Sequence, residues 1–133
     1  MIRVIYLTFF SLLLSLISIA APKPLEDDII FTIVEEDNLK GLFDEEGNMI
    51  IPIAYEDLGW SKGMPEVHSK VIGYREHNHW GLIDVKNRKV TEPIYYSLQP
   101  FIKKRIIASR GTVNSRKRVF GLIDQQGQEK LDF

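Results

Sequence analysis

Apolar runs recur along the chain with a fixed period. Gly41-Leu42-Phe43-Asp44-Glu45-Glu46-Gly47, Gly81-Leu82-Ile83-Asp84-Val85-Lys86-Asn87 and Gly121-Leu122-Ile123-Asp124-Gln125-Gln126-Gly127 lie forty residues apart. Such self-similarity marks a chain built from repeated supersecondary units. Each run ends in Asp-x-x-Gly or Asp-x-x-Asn, which reads as a type I turn followed by a left-handed residue, the loop of a hairpin. Asp44, Asp84 and Asp124 then serve as turn formers that accept backbone amides ahead of them. Gly47 and Gly127 take the positive φ freely, and Asn87 is the usual substitute.

Each Gly-Leu run is preceded by a β-rich stretch (Ile29–Glu35, Val67–Arg75, Arg105–Arg110) and followed by a short extended one (Met49–Ile51, Lys89–Thr91, Glu129–Asp132). The connections Asp37-Asn38 and His77-Asn78 suit tight turns, and a longer loop spans Gly111–Ser115. The pattern predicts an all-β fold: three tandem antiparallel three-stranded meanders over residues 28–53, 66–93 and 104–133, in an array that is curved or partly closed. Linkers at 54–65 and 94–103 hold Gly59, Gly63, Pro65 and Pro100, with a helical turn expected at Glu56-Asp57-Leu58 and at Ser97-Leu98. Trp80-Gly81-Leu82-Ile83 is apolar at successive positions, so these strands should be covered on both faces. A glycine inside a strand weakens it, which implies close approach of a backbone or a ring at 41, 81 and 121.

The first segment is different in kind. Arg3 is the only charge before an uncharged, Leu- and Ile-rich run over residues 4–21. A basic start, an apolar run and the small residues Ser18 and Ala20 form the pattern of a secretory signal peptide, residues 1–20. An uncleaved membrane anchor over 4–21 is the alternative. Both readings put the β domain outside the cytoplasm, in the periplasm or at the cell surface.

Trp80-Gly81-Leu82-Ile83-Asp84, followed by Pro93-Ile94-Tyr95-Tyr96, and the matching Pro52-Ile53-Ala54-Tyr55, resemble the WG-repeat proteins of bacteria. Phe120-Gly121 is a mild departure from Trp-Gly, and Lys40-Gly41 a larger one. The resemblance covers about residues 36–133 and implies an all-β repeat fold, often exported. It implies an interaction module and carries over no catalytic residues.

Composition narrows the chemistry further. The chain has no cysteine, which excludes disulfides, thiolate metal sites and a cysteine nucleophile. Its histidines are His68, His77 and His79, too few for a four-ligand zinc site, so neither metal nor cofactor is expected. No nucleophile elbow or phosphate-binding loop occurs, and the expectation is a non-enzyme. The net charge of −1 hides two poles. Residues 21–85 carry five Lys and Arg against fourteen Asp and Glu, whereas residues 86–133 carry eleven against four. Lys103, Lys104, Arg105, Arg110, Arg116, Lys117 and Arg118 concentrate the positive pole and are candidates to bind an anionic surface such as lipid headgroups or an acidic partner. The poles also permit head-to-tail self-association. Tyr55, Trp60, Trp80, Tyr95 and Tyr96 are either core residues or an aromatic surface for a glycan in the envelope. A nucleic-acid partner is not expected for an exported chain.

Overall fold

A computed structural model describes residues 30–67, 70–100, 104–111 and 118–131. The N-terminal apolar segment, His68, Lys103, Arg116 and Lys117 lie outside the described residues. Every element is a β-strand: β1 Phe31–Glu36, β2 Leu39–Asp44, β3 Met49–Tyr55, β4 Asp57–Gly59, β5 Val71–Glu76, β6 His79–Asp84, β7 Ser97–Pro100, β8 Arg105–Arg110, β9 Val119–Asp124 and β10 Glu129–Leu131. They form three antiparallel sheets ordered β1-β2-β3, β4-β5-β6 and β10-β9-β8-β7. Among the described residues there is no helix and no closed barrel.

The first sheet is the expected meander. The other two differ from expectation in which chain they recruit. Asp57-Leu58-Gly59 and Ser97–Pro100 are not helical turns but strands, pairing with β5 and β8 respectively. The linkers thus begin the next sheet. Leu58 and Leu98 explain this, since each is buried in a core that a solvent-side helical turn could not reach. In the second unit the stretch after the turn is reduced to single bridges, Ile83 with Lys89 and Trp80 with Tyr95.

The hairpin turns follow their sequences closely. Asp37 and Asn38 have φ of 51° and 63°, and His77 and Asn78 have the same pair of values. Two consecutive left-handed residues make the type I′ connection that matches strand twist. Register also repeats. Lys40 pairs with Tyr55 as Trp80 pairs with Tyr95, and Phe43 pairs with Met49 as Ile83 bridges Lys89.

Strand alternation then fixes the packing. Leu42, Trp80, Leu82, Phe120 and Leu122 point to what we term the forward face of their sheets. Phe43, Ile83 and Ile123 point to the back face. One core joins Leu42 and Ile51 of the first sheet to Ile72, Tyr74 and Ile83 of the second. The other joins Val71, Trp80 and Leu82 of the second to Leu98, Ile106, Ala108 and Ile123 of the third. The forward face of each sheet therefore covers the back face of the next, and the β5–β6 hairpin is buried on both sides. Burial of a leucine or isoleucine is worth about 1.5–3 kcal/mol, so adjacent Leu82 and Ile83, both fully buried, tie this strand to two cores at once.

The strand glycines make this stacking possible. A Cβ on Gly81 would lie 2.6 Å from the Tyr74 ring, and one on Gly41 would lie 2.8 Å from the Ile51 carbonyl oxygen. The Tyr74 hydroxyl, carried across Gly81, donates to the Thr91 carbonyl at 2.8 Å. We expect Gly81→Ala to destabilise the domain by about 1–3 kcal/mol, the usual cost of overpacking a filled core. Chemical denaturation of that variant beside Tyr74→Phe checks this. Tyr74→Phe loses only one hydrogen bond, about 1 kcal/mol.

Candidate functional site

The repeated Asp residues build three near-identical loops. The Oδ1 atom of Asp44 accepts the amides of Glu46 (3.0 Å) and Asn48 (2.8 Å). Asp84 does the same with Lys86 (2.9 Å) and Arg88 (3.0 Å), and Asp124 with Gln126 and Gln128 (both 2.9 Å). Gly47, Asn87 and Gly127 close the loops at φ of 83°, 58° and 76°. Only the outer oxygen, Oδ2, varies in its partner: the Asn48 amide, the Arg88 guanidinium or the Lys130 ammonium. All three carboxylates are consumed by turn geometry.

These contacts hold each carboxyl below its ordinary range. For Asp44 the Asn48 side chain is the main cause, followed by the Asn48 backbone amide. For Asp84 and Asp124 partial burial pushes upward but is outweighed by Arg88 and Lys130 together with the loop amides.

The aromatic residues divide. Trp60 and Tyr95 are 2% exposed and Trp80 is 7% exposed, so all three are core. The Trp60 indole N–H donates to the Glu66 carbonyl at 2.7 Å. Tyr55 is half-buried and meets Tyr74 edge-on, with ring centroids 5.1 Å apart and Lys89 Nζ above both rings. Tyr96 is half-buried and lies beneath the Arg118 guanidinium, 4.0 Å from the ring centroid. The continuous aromatic surface open to the sequence is therefore not formed, because a β domain this small needs its large rings for burial.

The basic residues are spread along the third sheet. Lys104 precedes β8 and Arg105 opens it. Arg110 closes it, paired with Glu129 and stacked over Tyr95. Arg118 stands before β9 and lines a groove of ≈ 1030 Å³. Trp80, Ile107 and Phe120 give this groove an apolar floor, and Lys62, Arg75 and Arg118 are its cations. Its one carboxylate, Asp57, is neutralised by Lys40 at 2.7 Å. Arg75 is turned toward Asn78, donating to its side-chain oxygen at 2.8 Å.

The sequence reading overlooked Lys62, Arg75 and Asn78. The type I′ register holds the signal for Arg75, since a turn at His77-Asn78 places it opposite Trp80. Nothing local signals Lys62, which reaches the groove because Ser61 is held across the fold to Leu98. His77 and His79 do not share a metal-binding face: His77 sits in the turn, and His79 Nδ1 lies 3.0 Å from its carbonyl oxygen. Among the described residues no cluster of three or more potential metal ligands occurs.

The family model for the WG containing repeat matches residues 41–64 and 80–110. The first stretch runs from β2 through β4 into the following linker, and the second from β6 through β8. No curated protein and no solved structure matches the chain.

Because the three loop carboxyls titrate lower in the folded chain than in the unfolded one, their stabilisation is complete above the ordinary carboxylate range. It is lost as pH falls through that range toward the folded values. The melting temperature should be flat from neutral pH down to ~5 and fall steadily below ~4. Asp84→Ala should cost about 1–2 kcal/mol at neutral pH, as loss of a helix-capping side chain does, and should blunt the acid decline in a thermal melt.

Proposed function

We propose that this chain, a WG-containing β-repeat protein, is a non-catalytic interaction module, exported through its N-terminal apolar segment, that holds an acidic partner protein. The observation that carries this reading is the groove beside Trp80 and Phe120. An apolar floor under separated cations, with its single carboxylate already paired, suits an extended segment rich in Asp and Glu. Arg118 is exposed but stacked on the Tyr96 ring, so less side-chain freedom is lost when an anion docks. The loop aspartates are committed to turns, which removes the most conspicuous candidates for acid–base chemistry.

A glycan reading draws on Trp80, Tyr96 and Phe120, which also line the groove. Of these, Phe120 alone presents an open ring, being 58% exposed. That favours the acidic protein over stacked sugars.

Fluorescence anisotropy of a labelled oligo-glutamate peptide tests the groove directly. The wild-type chain should bind it, with affinity falling as salt rises. Arg75→Glu combined with Arg118→Glu should weaken binding ~10-fold or more, since each tenfold is about 1.4 kcal/mol, without lowering the melting temperature by more than a few degrees. Equal affinity in the double variant would refute the groove as the site.

A further inference from the structure

The packing rule of the fold leaves two surfaces uncovered. Twice inside the molecule the forward face of one sheet seats on the back face of the next. Among the described residues, no sheet covers the forward face of β9–β10 or the back face of β1–β2. The forward end presents Phe120 at 58% and Leu131 at 61% exposure, with Leu122 half-buried between the strands. Phe120 and Leu122 stand where Trp80 and Leu82 stand in the second sheet, residues that are buried there. The back end presents Val34 and Phe43, both half-buried, with exposed Thr32 in pairing register with Phe43. These occupy the register positions of Tyr74, Ile83 and Ile72, all fully buried inside the second core.

Charge agrees with shape. Around the forward end Arg105 and Arg118 stand beside the apolar residues, whereas exposed Glu36, Glu45 and Glu46 surround the back end. The first sheet belongs to the strongly acidic stretch of the chain and the third to the strongly basic one.

We propose that the occupant of each end is a second copy of this chain: the basic forward face of one molecule docks on the acidic back face of another, repeating the sheet-on-sheet contact already made twice within the fold. This rests on the interaction-module reading and names a partner for it. The contact is heterologous, so it leaves one free end of each kind and extends head to tail instead of closing as a two-fold dimer. Opposite charge steers the encounter, and apolar contact between the faces stabilises the product.

The test uses the full chain and two variants at exposed positions, Phe120→Glu at the forward end and Thr32→Arg at the back end, each first shown by its thermal melt to be folded. Sedimentation velocity of the wild type should show mass rising with concentration and falling with added salt. Each variant alone should stay monomeric at concentrations ~10-fold above those at which the wild type associates, a shift of about 1.4 kcal/mol. An equimolar mixture of the two should form a one-to-one dimer and nothing larger, because only one intact face of each kind remains on each pair. A wild type that stays monomeric throughout would overturn the proposal. So would Thr32→Arg associating as well as the wild type, which indicates a two-fold contact through the forward end. Oligo-glutamate binding, measured on the Thr32→Arg variant, whose groove residues Phe120 and Arg118 are unchanged and left uncovered, separates the two ideas. Binding without self-association overturns the second-copy partner and leaves the groove standing. Self-association without peptide binding overturns the groove alone.

Discussion

Two-sided burial of the β5–β6 hairpin is the constraint on which the rest of this fold depends. A six-residue strand cannot build a core alone. Here one strand contributes Trp80 and Leu82 to one core and Ile83 to the other, so the flanking sheets are held through a shared middle layer. Close approach is needed on both sides. Gly81 lets the Tyr74 ring lie flat across β6, and Gly73 leaves room for the Trp80 ring, 3.2 Å from where its Cβ would be. The two glycines face each other's large neighbours across one hairpin, which makes it thin enough to be sandwiched.

Given that layer, the remaining features fall into place at its margins. The type I′ turn at His77-Asn78 directs two amides outward, and the Glu56 carboxylate accepts both, at 2.8 and 3.2 Å. Linker and hairpin are thereby locked together. Lys40 and Asp57 form a second tie between the first and second sheets. These polar contacts are partly exposed, and each contributes little by itself. Their effect is to fix the start of the linker against the first and second sheets.

The periodic features were legible because they are local. The Asp-x-x-Gly loops, the left-handed Asn residues and the order of strands within the first sheet depend on residues only a few positions apart. Gly41 and Gly81 were legible for a related reason, since a missing side chain in an apolar strand demands a neighbour in its place. The two expected helical turns failed on the opposite ground. Asp57-Leu58-Gly59 and Ser97-Leu98 carry too few residues to reveal a strand, and their partners β5 and β8 lie across a loop. Pairing with a distant edge overrode local propensity.

By itself, then, the sequence determined the forty-residue period, the loop chemistry, the all-β class and the separation of charge into two poles, all of which follow from spacing and residue type. Tertiary structure alone decided which aromatics are core, which cations share a groove, and that linkers begin the following sheet. The physical reason is that burial is a property of stacked faces. Trp80 and Phe120 hold the same place in the repeat, yet one is 7% exposed and the other 58%, because a third sheet covers the first and no described sheet covers the second.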